Sequence, residues 1–385
     1  ASDVYKRQRE WNSGIFRHCL DTAIRNPQKF IFMSATNPLW ASAVLLTERM
    51  VQPMDKPTVQ DIFHRFYPAY LDQYSPSPVQ AKVAHNIMNC KTGAYGANVC
   101  VCEDCGFVQI HYNSCRNRCC PMCQAVPKEM WMDARREDVL DAPYFHLVFT
   151  VPDILNPVIY SNQRLLYDAL YHAASSTISE LTADPKHLGA KVGYICILHT
   201  WGSEMNFHPH IHTILLGGGL ASNNQWRDNG ENFFLPIRVI SKMFRGKYLE
   251  ELKRLWEEDK LVFQGTAEKF RNHYTFKELL DSCYGMDWIP HCKKTFNCAQ
   301  TVIKYLGKYT HRIAVSNHRI VRMNDDTVTF LVKDYRNEGQ WKELTISGVE
   351  FVRRFLMHVP PRRFVRIRHY GLLCSRTKSQ KLTLC

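Results

Sequence analysis

The sequence predicts an α+β protein: an antiparallel sheet domain flanked by helices and preceded by a small zinc-binding domain. Three observations carry that reading. Two β-rich runs, Val192–Thr200 and His208–Leu216, are joined by the short turn-rich stretch Trp201–Asn206, as in an antiparallel hairpin. Helical patterns alternate irregularly with such runs, without the βαβ regularity of a parallel sheet. Eight of the fifteen cysteines fall between Cys90 and Cys123, several in CxxC spacings.

The chain of 385 residues is long enough for two or three domains and a sizeable core. A formal charge of +13 points to a polyanionic partner, and 45% hydrophobic residues exclude a disordered chain. The odd cysteine total and the lack of a convincing secretory signal favour zinc in a reducing, cytoplasmic setting over a disulfide framework. Phe30–Thr47 is uncharged, but Asn37-Pro38 interrupts it, and it is too short and polar to span a bilayer, so no membrane is expected. Residues 1–54 receive no assignment; Met50 and Met54 are natural starts for the ordered protein. The expected domains are 55–142, helical and zinc-binding, and 143–373, catalytic, with a basic tail over 374–385.

Thr58–Tyr74 places Ile62, Phe63, Phe66 and Tyr70 on one helical face, with Thr58 as N-cap, and Ser75-Pro76-Ser77-Pro78 ends it. Further helices are predicted over Val79–Met88, Val126–Leu140, Asn162–Leu181, Lys242–Leu261, Thr301–Tyr309 and Gly348–Met357. Tyr144–Val151 and Val328–Val332 read as strands.

Cys102-x-x-Cys105 and Cys120-x-x-Cys123 form two knuckles able to offer four thiolates to a structural Zn²⁺, a site with no open position for catalysis. Cys90, Cys115 and Cys119 either complete a second, interleaved site or are ordinary thiols.

In His208-Pro209-His210-Ile211-His212, strand alternation puts all three imidazoles on one face, followed by an apolar run and a turn at Gly217-Gly218-Gly219. Such a face suits a divalent ion; the alternative is the polar face of an edge strand. His199 and Glu204, across the hairpin, and His311 compete with His208 as third ligand.

Tyr305 and Tyr309 stand four apart on one helical face, with Lys304 and Lys308 forming a basic stripe beside them. They are either packing residues or nucleophiles. A phenol of pKa about 10 attacks a phosphodiester poorly unless a metal polarises the phosphate, so the histidine strand and the tyrosine helix are complementary parts.

SCRNR…CPMCQ (Ser114–Gln124), HTWG (His199–Gly202), HPHIH, YLGKYTHRIAVSN (Tyr305–Asn317), KDYR (Lys333–Arg336) and FVRIRHYG (Phe364–Gly371) together resemble the two-tyrosine HUH transposases of rolling-circle insertion sequences. The resemblance covers about residues 55–373. It implies a bacterial DNA transposase with an RRM-like antiparallel catalytic sheet. His210 and His212 would be the metal ligands and Tyr305 and Tyr309 the nucleophiles. One departure stands out: the family usually reads RNRHCPxC, and Cys119 occupies the position of that histidine.

The implied chemistry uses Mg²⁺ or Mn²⁺, passes through a 5′-phosphotyrosine and acts on single-stranded insertion-sequence ends and target. A homodimer is compatible with it. Lys304, Lys308, Arg312 and the C-terminal Arg362, Arg363, Arg366 and Arg368 are the candidate DNA contacts. The four C-terminal arginines belong to a charge run in which nine basic residues and no acids follow from Arg353. Trp201, Phe207 and Trp226 are candidate base-stacking platforms. Two other classes remain: a non-catalytic zinc-dependent nucleic-acid-binding protein, and a replication initiator or relaxase with the same chemistry.

Overall fold

The computed structural model describes residues 30–34, 56–102, 107–228, 235–288, 291–296, 307, 314–334, 337–376 and 378–383. Strand β1 (Phe30–Ser34) pairs antiparallel with β2 (Ala97–Cys102), which pairs in turn with β3 (Val108–Tyr112). Between β1 and β2 lie α1 (Val59–Leu71) and α2 (Pro78–Met88). Both start on a capping box. The Thr58 hydroxyl accepts from the Asp61 amide while the Asp61 carboxylate accepts from the Thr58 amide, and Ser77 and Gln80 repeat the exchange. α3 (Ala125–Asp133) follows; it stops well short of the predicted Leu140, and a 3₁₀ turn over Arg136–Asp138 takes its place.

The central sheet is assembled from β4 (Tyr144–Thr150), β5 (Lys191–Trp201), β6 (Phe207–Leu220), β7 (Trp226–Asp228), β8 (His291–Phe296) and β12 (Ile367–Gly371). Its order is β12-β5-β6-β4-β8, with β7 beside the end of β6, and the pairings are antiparallel. Helices α4 (Asn156–Ser161), α5 (Gln163–Ala183), α6 (Ile237–Glu257) and α7 (His273–Gly285) intervene in the chain.

Alternation sorts the sheet's faces. Leu147, Phe149, Leu198 and Ile211 point into a core filled by Tyr167, Leu170 and Tyr171 of α5 and Phe244, Tyr248 and Leu252 of α6. Each fully buried side chain of this kind contributes on the order of 1.5–3 kcal/mol. One face of the sheet is thereby fixed, and His146, His199, His210 and His212 stand on the other.

A second sheet, β11 (Gln340–Ser347)–β10 (Thr327–Asp334)–β9 (Ile320–Met323), precedes α8 (Gly348–Met357); α9 (Lys378–Leu382) lies near the C-terminus. The N-terminal helices do not close a core by themselves. Ile62, Phe63 and Phe66 of α1 share one with Val328 and Phe330 of β10 and with Phe351 and Phe355 of α8, and Trp201 and Met205 of the β5–β6 hairpin join it.

The glycine run departs from expectation. Gly217–Gly219 is not a turn but the last part of β6, and the turn follows at Ala221–Gln225. The glycines serve close approach: a Cβ on Gly218 would lie 2.3 Å from the Trp226 ring, and one on Gly219 2.5 Å from the Lys191 carbonyl oxygen. α6 begins five residues before the expected Lys242 and ends four before Leu261. Of the predicted helix Thr301–Tyr309, only Gly307 is among the described residues; it is helical and buried.

Candidate active site and thiol cluster

β5 and β6 pair with His199 opposite His210 and Ile197 opposite His212, so His199, His210 and His212 share one face of the sheet. Their ligating nitrogens all lie within 4.8 Å of one another. His199 is therefore the third member of the group. His208 is not in it: at the start of the strand its Nδ1 lies 3.3 Å from the Asp153 carboxylate, although its ring lines the same cleft. Glu204 is exposed and outside the group, and His311 lies outside the described residues.

The rings are oriented by their outer nitrogens. His210 Nδ1 is 2.7 Å from the His208 carbonyl oxygen, an acceptor, so it carries the proton and leaves the Nε2 lone pair facing the cleft. His212 Nδ1 is 2.8 Å from Nε2 of His146, a buried residue of β4 that the sequence reading missed. The two inward nitrogens, His210 Nε2 and His212 Nε2, stand 3.1 Å apart. Two metal–nitrogen bonds of about 2.1 Å at roughly right angles to tetrahedral would separate them by about 3.0–3.4 Å, so the spacing fits a shared divalent ion. Behind the site the Trp201 indole stacks on the His199 ring at 4.6 Å, and the Arg366 guanidinium lies 5.9 Å from the centre of that indole.

The histidine face opens into a cleft of about 320 Å³, lined also by Val148, Thr150, Ser203, Arg319, Lys333 and Trp341. Among the described residues that line it none is a carboxylate, and Asp153 stands beside His208 at its edge. Its floor is the β5–β6 hairpin and its far wall the second sheet. Arg319 ties the two together by donating to the Leu331 carbonyl (2.7 Å) and to the Ser203 carbonyl (2.6 Å).

The second constellation is sulfur. Sγ atoms of Cys90, Cys115, Cys120 and Cys123 gather within 4.8 Å of one another. Cys115 and Cys123 are 3.8 Å apart, the edge of a tetrahedron with sulfurs about 2.3 Å from its centre. Amides of Cys115 and Asn117 point at the sulfurs of Cys90 and Cys115, which favours thiolates. Hydrogen bonds from Cys115 and Cys120 pull the Cys123 thiol far down, and sharing those bonds pushes Cys120 up. Cys90 and Cys115 thus partner the second knuckle. Of the first, Cys105 and the side chain of Cys102 lie outside the described residues.

Cys119 faces away from this cluster. It lies against Trp201, Phe355, His358 and Arg366, where burial raises its thiol pKa. The C-terminal arginines divide. Arg362 and Arg363 are exposed, whereas Arg368 pairs with Asp168 and lies 3.9 Å over the Tyr171 ring, and Arg366 is packed behind the site as described. Trp201 is largely buried but lines the cleft, Phe207 is half-buried against Tyr160, and Trp226 covers Gly218 while donating to Asp228. Tyr305, Tyr309, Lys304, Lys308 and Arg312 lie outside the described residues. Gly307, between the tyrosines, abuts Met132 and Lys128 of α3; a Cβ there would meet the Met132 sulfur at 2.1 Å.

Residues 62–151 match the family described as "Transposase zinc-binding domain" of IS91 type, and residues 193–381 match the family described as "Putative transposase". A protein of Sinorhizobium fredii named "Putative transposase y4qJ" is 41% identical over 331 residues, spanning 86% of this chain and 83% of that protein. The chain belongs to the IS91-type transposase family. The transposase of insertion sequence element IS801 from Pseudomonas savastanoi pv. phaseolicola is 27% identical over 318 residues, covering 79% of this chain and 72% of its own. A solved conjugative relaxase TrwC in complex with oriT DNA aligns with 29% of this chain and 42% of its own, at a TM-score of 0.24 and 17% identity. In this transposase the four-thiol cluster falls within the matched zinc-binding domain, and the histidine trio falls within the transposase match. Among the described residues no helix is long and apolar enough to cross a membrane.

Proposed function

We propose that this transposase cleaves and rejoins single-stranded DNA at insertion-sequence ends through a tyrosine–DNA intermediate, with the histidine cleft as its active site. The convergence of His199, His210 and His212 in a cleft that Arg319 and Lys333 also line is the observation that carries the reading. Three neutral imidazoles leave room for oxygen ligands, which suits Mg²⁺ or Mn²⁺. The closed thiolate tetrahedron of Cys90, Cys115, Cys120 and Cys123 suits Zn²⁺ in a structural role. A divalent ion held by the trio would neutralise charge on the scissile phosphate.

The protein's own residues supply the rest. Arg319 and Lys333 give the cleft its positive potential. Tyr305 or Tyr309 attacks phosphorus through its phenolic oxygen as the bond to the 3′ oxygen breaks. A 5′-phosphotyrosine forms, and the phenolic proton ends on the departing 3′-hydroxyl. The phosphoester keeps the bond energy, so rejoining needs no nucleotide cofactor. A second tyrosine permits a second cleavage while the first strand is still attached, as strand transfer requires.

The test is incubation with 3′-labelled single-stranded DNA carrying an element end. A denaturation-resistant adduct should form only with Mg²⁺ or Mn²⁺ present, and the Tyr305→Phe, Tyr309→Phe double variant should form none. An adduct that persists in the double variant would remove both tyrosines from the mechanism.

A further inference from the structure

We infer that Trp341 and Lys333 form a nucleotide-holding subsite at the rim of the cleft: an unpaired base stacks on the indole and an adjoining phosphate meets the ammonium group. The inference rests on the reading of the cleft as the place where single-stranded DNA is cut. It adds a residue that neither that reading nor the sequence pattern assigns.

Trp341 stands on β11, the edge strand of the second sheet, and is 52% exposed although its strand neighbours Gln340, Lys342 and Glu343 are polar. A tryptophan in that setting gives up apolar burial that the fold does not recover. Across the β10–β11 ladder its direct partner is Lys333, whose ammonium lies 5.4 Å from the ring centre. The Arg319 guanidinium lies 5.8 Å from the same ring. The indole is thus held beside two cations, and both cations line the cleft that contains the metal-binding histidines.

The platform is also fixed relative to the chemistry. Arg319 is 5% exposed and donates into the hairpin turn at Ser203, and the Lys333 amide donates to the Ser203 hydroxyl. The turn joins β5, which carries His199, to β6, which carries His210 and His212. Trp341 therefore sits on a wall braced against the strands that hold the metal ligands. A base there would place its own backbone phosphates along the cleft.

The occupant is single-stranded DNA rather than duplex, because a paired base has both faces stacked and offers none to an indole. The cleft, at about 320 Å³, is in the range of small-ligand pockets, enough for a nucleotide but not for a duplex. Anionic phosphate is favoured because Arg319 and Lys333 line the cleft and none of the described lining residues is a carboxylate.

The experiment uses the full chain with its thiol site loaded, in buffer without Mg²⁺ or Mn²⁺ so that no cleavage occurs. Fluorescence anisotropy measures binding of a labelled 20-nucleotide oligo(dT) and of a 20-nucleotide abasic strand with the same phosphates. Trp341→Ala should weaken oligo(dT) about tenfold and leave the abasic strand unchanged, while Trp341→Tyr recovers most of the loss. Lys333→Ala should weaken both strands. Equal oligo(dT) affinity for wild type and Trp341→Ala would overturn the subsite while leaving the cleft reading intact. A parallel loss on both strands would make Trp341 a structural residue and overturn it equally. Failure of the wild type to bind either strand would instead defeat the DNA reading on which the subsite rests.

Discussion

His146 makes a sharp test of how the histidine site is built. Its Nε2 lies 2.8 Å from His212 Nδ1 in a buried position, and the two rings stack at 5.1 Å. If His212 offers Nε2 to the ion, its Nδ1 must carry the proton and His146 must accept it. Replacing His146 by Phe keeps a flat ring of similar size but leaves a buried N–H without that acceptor. The loss is about 1–3 kcal/mol, which corresponds to about 5- to 150-fold in metal affinity, and outer-sphere partners of metal-binding histidines typically account for 10–100-fold. The assay is DNA cleavage as a function of Mn²⁺ concentration. His146→Phe should shift the half-saturating Mn²⁺ concentration upward by at least about tenfold and nearly recover the wild-type rate when metal saturates. His146→Gln, whose side-chain oxygen can accept, should fall between. An unchanged Mn²⁺ dependence in His146→Phe would refute the assignment of His212 Nε2 as a ligand oriented from behind.

Two further outcomes follow from the same geometry. Cys115→Ser should abolish stoichiometric zinc, measured by colorimetric release. It should also lower thermal stability broadly, because Cys90 and Cys120 belong to a core shared with β10, α8 and Trp201. His358 is buried, donates from Nε2 to the Met205 carbonyl and is held near a pKa of about 4 by desolvation, below its ordinary 6.5. The unfolded chain takes up a proton there before the folded one does, so stability is full above pH 6.5 and falls as the pH drops towards 4. Between pH 7 and pH 5 the loss should be about 2 kcal/mol. Urea denaturation at the two pH values measures it, and His358→Gln should flatten the difference.

Much of the architecture was legible because it rests on local periodicity. Thr58 capping an apolar stripe, the β-branched run before the hairpin and the imidazole alternation all act over a few residues. Contacts set by register were legible only as candidates. The hairpin put His199 among four possible third ligands, but it is singled out only because the register pairs it with His210, and a shift of one residue would turn it to the other face. The cysteine spacing pointed to two knuckles, yet Cys90, at the end of α2, and Cys115 complete the described cluster, because a tetrahedron is closed by chain folding rather than by CxxC spacing alone. His146 and Trp341 carry no motif at all. One is selected by a diagonal contact between β4 and β6, the other by a sheet from a distant part of the chain packing beside the histidines. The glycine run misled because glycine serves close backbone approach as readily as a turn.

The central claim is that a tyrosine of the 305–309 segment takes the DNA strand, and peptide mapping of the covalent adduct tests it most directly. Trypsin cuts after Lys304, Lys308 and Arg312 and so separates Tyr305-Leu306-Gly307-Lys308 from Tyr309-Thr310-His311-Arg312. After nuclease trimming, mass spectrometry should find the added nucleotide on one or both of these peptides, and only when Mg²⁺ or Mn²⁺ was present. A nucleotide on any other peptide, or a labelled adduct formed equally without metal, would contradict the account.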